Sequence, residues 1–211
     1  RTMDTESGCA FIEVNSKGQN RIIVSAGTNR MYTEEYIQSV LEKAEAGDFV
    51  LLQNEINMVG EIIRLSHEKG CRVVFNASPI PKNPEELPLE LVDIFMVNEL
   101  EAAALAGTSA EGDFRDILKA LQKKYPKAAI VMTLGKDGVL YGYKEEFYSH
   151  PIFKVNAVDT TAAGDTFCGY FLAALCAGKS VEMALREASA ASAMAVSAKG
   201  AAPSIPVHSA M

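Results

Sequence analysis

The residues most suited to chemistry sit in the run V158-D-T-T-A-A-G-D165, which leads directly into the apolar stretch T-F-C-G-Y-F-L-A-A-L at 166–175. Ala162, Ala163 and Gly164 carry almost no side chain, so an anion can approach the backbone there. The unpaired N–H groups of the helical turn that opens at Gly164, Asp165 and Thr166 would point at it. A carboxylate at the same place can serve as general base for a hydroxyl nucleophile. The competing reading makes Asp165 a cap that satisfies its own helix.

Three other polar clusters fall where the hydrophobic pattern ends a strand. Asn98, Glu99 and Glu101 could hold Mg²⁺ directly or through water, or could simply be an acidic first helical turn favoured by the dipole. Thr133-Leu134-Gly135 could touch a nucleotide phosphate, or be a plain turn. Asn76, with Gln53, Asn54 and Glu55, could face a polar substrate. No G-x-x-x-x-G-K-[ST] loop, G-x-G-x-x-G turn or G-x-S-x-G elbow is present. His67, His150 and His208 lack metal-ligand spacing, so neither zinc nor iron is expected, and His67 reads as a surface helix residue.

Alternating strands and helices must position these clusters. C-A-F-I-E-V-N (9–15), the turn S-K-G-Q (16–19) and N-R-I-I-V-S predict a hairpin, closed by A-G-T-N at 26–29. Thr33 is a predicted N-cap for a helix reaching about Ala46. Strands are expected at 49–53, buried on both faces, at 72–76, within 91–98, at 128–135 and, antiparallel, at 139–143, with a further one at 152–155. Helices are expected at 58–69, 99–105, 114–125, 166–177 and 181–196, the third with Phe114, Ile117, Leu118 and Leu121 on its inner face. Four prolines make 79–88 a loop. This order predicts an α/β fold with helices on both faces of the sheet.

Composition narrows the partners. Twenty Lys and Arg against 27 Asp and Glu give a net charge of −7 without a basic run, which disfavours nucleic acid. No run reaches the roughly 18 apolar residues of a membrane span, and R-T-M-D-T-E-S-G is not a signal peptide. Cys9, Cys71, Cys168 and Cys176 form no C-x-x-C. Cys168 and Cys176 read as buried hydrophobes, and a cytoplasmic location is expected.

Taken together, A-G-T-N, F-N-A-S-P, V-N-E-L-E-A-A-A-L-A-G, V-M-T-L-G-K-D-G-V, V-D-T-T-A-A-G-D-T-F-C-G and K-G-A-A-P-S-I-P resemble the ribokinase-like family of carbohydrate and nucleoside kinases, its bacterial ribokinases most closely. The similarity runs over nearly the whole chain, and D-T-T-A-A-G-D-T-F is its most specific segment.

The resemblance implies a three-layer α/β/α sandwich with a mostly parallel sheet. Residues 9–24 would form part of a β lid, and 1–211 the C-terminal part of a single kinase domain. It implies ATP-dependent phosphorylation of a sugar's primary hydroxyl, D-ribose to D-ribose 5-phosphate first. Fructose, deoxyribose or a nucleoside are the alternative acceptors, and a non-catalytic homologue is a further alternative.

Roles follow residue by residue. Asp165 is the implied base, and the backbone of Ala162, Ala163 and Gly164 the anion hole. Asn98 and Glu101 match an N-x-x-E element that organises Mg²⁺ and its waters. Thr133 and Gly135 match the ATP phosphate segment, Ser189 the adenine or ribose, and Glu55 the substrate side. Asp159 and the Thr161 carbonyl, with Ala195, Ala198, Gly200 and Ser204, match a monovalent-cation site, implying K⁺. The lid implies a homodimer. Relatives of this family carry further residues ahead of Arg1, including those that grip the sugar, so the chain is expected to lack that N-terminal portion.

Overall fold

The computed structural model describes residues 4–14 and 20–207; the predicted turn at 16–19 and His208 lie outside the described residues. The chain divides into two compact units, one up to Val92 and one from Asp93 onward.

In the first unit, β1 (Cys9–Val14) and β2 (Asn20–Ser25) pair antiparallel, with Phe11 opposite Ile23. A 3-10 turn at Gly27–Arg30 follows. Helix α1 (Glu34–Leu41) starts where expected, because the Thr33 hydroxyl accepts from the Tyr36 N–H. It stops earlier than expected. The Ala44 N–H turns back to the Leu41 carbonyl, Asp48 takes the Glu45 N–H, and the Gly47 N–H goes to Gly70.

Strands β3 (Phe49–Gln53) and β4 (Arg72–Asn76) run parallel. Burial of β3 on both faces does not hold, since Leu51 is 43% exposed. Helix α2 (Val59–Glu68) buries Val59, Ile62, Ile63 and Ser66, an i, i+3, i+4, i+7 stripe. Gly60 lets it pack closely over Leu87 and Pro88.

The second unit places four strands in the order β5 (Ile94–Asn98), β6 (Ala129–Thr133), β7 (Val139–Tyr143) and β8 (Glu146–His150). The first pair is parallel and the later ones antiparallel. Strands β5 and β6 are buried over four consecutive residues, as a strand covered on both faces must be.

Helices α3 (Glu99–Ala106) and α4 (Phe114–Lys124) pack on each other and on the sheet. Ile117, Leu118 and Leu121 of α4 are buried, whereas Phe114 is only half-buried. Helices α5 (Ala163–Cys176) and α6 (Val181–Val196) pack against each other, and α6 against β8. Cys168 is buried as expected, but Cys176, in the last turn of α5, is exposed.

Strand β8 stands where no strand was expected, and 152–155 forms none. The hairpin loop between β7 and β8 is Lys144–Glu145, with Lys144 at φ 51°. A two-residue hairpin loop normally announces itself with glycine or asparagine, and here neither is present.

Two glycines of the β6–β7 connection share a left-handed backbone but not a packing constraint. A methyl group at Gly138 (φ 95°) would collide with the His150 carbonyl oxygen, whereas one at Gly135 (φ 52°) would meet open space. Gly135→Ala should therefore cost only about 1–2 kcal/mol for the backbone. Gly138→Ala should cost roughly 1–3 kcal/mol more for the clash. Urea denaturation of the two variants checks this, and equal losses would contradict it.

Candidate functional site

Two strands of the second unit end side by side. Asn98 closes β5, Thr133 closes β6, and the parallel register makes them direct partners. The clusters read separately in the sequence thus meet at the carboxyl edge of one sheet, where open α/β sheets place their ligands.

Asn98 is also the N-cap of α3. Its Oδ1 accepts from the Glu101 N–H at 2.8 Å, and Glu101 Oε2 accepts from the Asn98 N–H at 2.9 Å. This reciprocal capping box realises the helix-start reading of N-x-x-E and fixes the orientation of a buried carboxylate. The capping bond uses one of roughly four acceptor positions on a carboxylate. Next to it the Thr133 hydroxyl leans on the Val97 carbonyl at 3.4 Å, and Gly135 opens a 3-10 turn with its Cα facing open space.

The run 158–165 is held against the end of α6. The Val158 and Asp159 N–H groups donate to the Val196 carbonyl at 2.7 and 3.2 Å. Asp159 Oδ1 accepts from the Thr161 N–H at 2.9 Å and Oδ2 from the Gly200 N–H at 3.0 Å. The Thr161 hydroxyl first, then the Thr161 and Gly200 N–H groups, hold its carboxyl at about 2, below its ordinary value.

Ala162 then takes the left-handed conformation (φ 59°) as N-cap of α5, with no side-chain cap. Asp165 is consequently the third residue of the helix and not its N-cap, which sets aside the capping alternative in that form. It is exposed, in the first helical turn. The expected open N–H of Thr166 is instead paired, donating to the Ala162 carbonyl at 2.9 Å because the helix opens one residue earlier than expected, and the Ala163 N–H donates to the Thr160 carbonyl at 3.3 Å. Gly164 has neither a positive φ nor a neighbour that a Cβ would touch. The fold itself therefore places no demand for glycine there.

Of the residues matched to a cation site, Asp159, Thr161 and Gly200 are joined by these hydrogen bonds. Ala195 and Ala198 share a turn, and the Ser204 hydroxyl, buried, donates to the Ala201 carbonyl at 2.7 Å. Ser189 is half-buried on α6. In the first unit Glu55 is exposed in the turn after β3, while Gln53 and Asn76 are register partners at the ends of β3 and β4. Among the described residues no group of three His, Cys, Asp or Glu side chains could hold a metal ion. His67 is exposed, as expected.

The sequence reading stopped at Asp165 and missed its neighbour. The Thr166 hydroxyl is buried without a hydrogen-bond partner. Thr166 lines a cavity of about 400 Å³ together with Asp165, Gly169, Tyr170, Ala173 and Ile205. Asn57 was missed as well. It brackets Tyr32 through both its N–H and its carbonyl, at 3.0 and 2.8 Å, and so holds A-G-T-N near the end of β3. No spacing rule marks either residue, because each is defined by what lies across the fold.

The Asp159 clip has a pH signature. Its folded-state pKa lies below the ordinary 3.8, so its contribution is complete above that value and is lost as pH falls towards about 2. Carboxyl-carbon NMR should show Asp159 titrating near 2, and a midpoint near 4 would mean that the hydrogen bonds from the Thr161 hydroxyl and the Thr161 and Gly200 N–H groups do not form in solution.

The model of the pfkB family of carbohydrate kinases matches residues 1–208. Ribokinase of Haemophilus influenzae is 35% identical over 206 residues, covering 96% of this chain and 67% of its own length. The crystal structure of ribokinase from Thermotoga maritima superposes with a TM-score of 0.83 at 34% identity, covering 98% of this chain and 69% of that one. Arabidopsis thaliana ribokinase, solved with ribose and ATP, gives 0.81 at 32%, covering 96% and 67%. The chain thus spans about two thirds of the length of these relatives. With an α/β fold shared with ribokinases and a family match over nearly all its residues, the chain belongs to the pfkB family of carbohydrate kinases and is a sugar kinase by class.

Proposed function

We propose that the protein transfers the γ-phosphoryl group of ATP to the primary hydroxyl of D-ribose, giving D-ribose 5-phosphate. The observation that carries this reading is the turn at 162–165. A carboxylate stands exposed in the first turn of a helix whose N-terminus has no side-chain cap, beside a glycine that the fold does not require. Similarity to ribokinases in sequence and structure supports ribose as the acceptor.

In this reading Asp165 accepts the proton of the sugar hydroxyl as its oxygen attacks the γ-phosphorus in line, and the bond to the leaving ADP oxygen breaks. The N–H groups of Ala162 and Gly164, and that of Ala163 in exchange for its 3.3 Å bond to the Thr160 carbonyl, receive the charge that develops on the phosphoryl oxygens. Thr133 and Gly135 border the phosphates from the end of β6, Ser189 the nucleoside, and Glu55 the acceptor.

The donor set fits two cations. Asn98 and the fixed carboxylate of Glu101 would reach Mg²⁺ through water, the usual arrangement for an ion that keeps its waters and is shared with substrate phosphates. The oxygens of Asp159, Thr161, Ala195, Ala198, Gly200 and Ser204 would hold K⁺, and their hard, mostly neutral character suits it. When bound, the two ions neutralise phosphate charge and stiffen the turn.

The hairpin adds a proposal about assembly. Phe11, Ile12, Ile23 and Val24 are 49–63% exposed, and an isolated two-stranded ribbon is at best marginally stable in water. We assign it to the lid over the acceptor and to the contact of a homodimer in the cytoplasm.

Two measurements test these readings in the protein as its gene encodes it. An ATP-dependent acceptor screen should favour ribose over fructose, deoxyribose and nucleosides, and Asp165→Asn should lower kcat by roughly 10²–10⁴-fold while nucleotide binding survives. Preference for another acceptor removes ribose, and unchanged turnover removes Asp165 as the base. For the assembly, Phe11→Asp should shift sedimentation from dimer to monomer; an unchanged dimer places the interface elsewhere.

A further inference from the structure

The peptide between Ala163 and Gly164 is a planar trans unit, so its carbonyl and its N–H point in opposite directions. The helix's own i+4 bond holds the Ala163 oxygen from one side, so a second grip on that oxygen sets the tilt of the peptide and with it the aim of the Gly164 N–H. Ser192, on α6, donates its hydroxyl to that oxygen at 3.0 Å.

We propose that Ser192 is a positioning residue for phosphoryl transfer, holding the Gly164 N–H on the γ-phosphoryl group from behind. This rests on the reading of 162–164 as the phosphoryl-binding turn.

Three features of the turn make such a hold necessary. Ala162 is left-handed and offers no side-chain cap, so the helix start is not locked from its own sequence. Gly164 has no Cβ and faces open space, so nothing holds the peptide from the ligand side. The bonds from Val158 and Asp159 to Val196, and from Gly200 to Asp159, tie the loop to the end of α6 only up to Asp159 and Thr161, and the bonds beyond, from Ala163 to Thr160 and from Thr166 to Ala162, stay within the turn itself. Ser192 reaches past them to the first helical turn itself. It lies three residues beyond Ser189 on α6, so the two hydroxyls share one side of the helix.

The hydroxyl touches neither the reacting atoms nor any group that titrates near neutral pH. A purely structural bond between α5 and α6 would change stability alone. A positioning bond must instead discriminate between ligands that do and do not carry the γ-phosphate.

The experiment compares a non-hydrolysable ATP analogue with ADP, both with Mg²⁺. Binding is followed by calorimetry and by the ¹⁵N amide signal of Gly164, in wild type, Ser192→Ala and Ser192→Thr. Alanine favours helix, so the first variant should fold. It should bind the analogue about five- to tenfold more weakly, the net worth of one hydrogen bond, and bind ADP as wild type does. Ser192→Thr, which keeps the hydroxyl, should restore the preference and the Gly164 response. Equal weakening of both ligands, or none, overturns the proposal while leaving the site reading intact. A wild-type Gly164 amide that ignores the analogue overturns the reading of the turn, and this proposal with it.

Discussion

A backbone N–H can hold an anion only while it has no partner of its own, and a chain with spare donors will satisfy them internally unless its conformation is fixed from outside. The run 158–164 is organised by that constraint. Its early donors are consumed: the Val158 and Asp159 N–H groups share the Val196 carbonyl at the end of α6, and the Asp159 carboxylate takes the N–H groups of Thr161 and, from beyond α6, of Gly200. In the turn that follows, the Ala163 N–H makes a long bond of 3.3 Å to the Thr160 carbonyl, and Gly164 stands at a helix start without a side-chain cap. Because the loop before it is tied to α6, the proposed anion hole depends on that helix as much as on its own residues.

The carboxyl edge of β5 and β6 follows the same logic with the opposite outcome. Asn98 and Glu101 close the start of α3 on themselves in a capping box, so this helix has far less to offer a phosphate directly. What it presents is an acidic group held rigidly beside Thr133. Two helix starts of one unit thus suit complementary tasks, one attractive to an anion and the other to a hydrated cation. The contrast comes from a single substitution of kind at the N-cap, Ala162 in one helix and Asn98 in the other.

Holding these edges still requires a core that does not yield. Strands β5 and β6 are buried along four residues each, and Phe95, Phe171, Leu121 and Leu185 are fully enclosed. α5 buries Phe167, Cys168, Phe171 and Leu172, yet leaves Gly169, Ala173 and Ala177 outward beside the cavity that Thr166 helps to line. In interiors packed as densely as crystals, a displacement at the far end of α5 is transmitted to its first turn.

Strand and helix periodicity was legible in the sequence wherever burial was one-sided or complete, as at β4, β5, β6 and α4, because the hydrophobic pattern is the record of that burial. The residues of the proposed site were legible too, since Asp159, Asn98 and the A-A-G-D run are local in the chain. The strand at 146–150 was not, because its turn lacks glycine and its partner lies across a hairpin that propensity alone does not mark. Neither were the exposure of Leu51 and Cys176, nor the roles of Asn57, Thr166 and Ser192. The sequence by itself determined the α/β class and which residues could do chemistry. Tertiary structure alone decided that Asp165 follows the cap instead of being it, that Asn98 and Thr133 stand side by side, and that a serine 29 residues away holds the peptide behind Gly164. Side-chain type and spacing are properties of the local chain. Which hydrogen-bonding groups remain unpaired is settled only when every neighbour has taken its place.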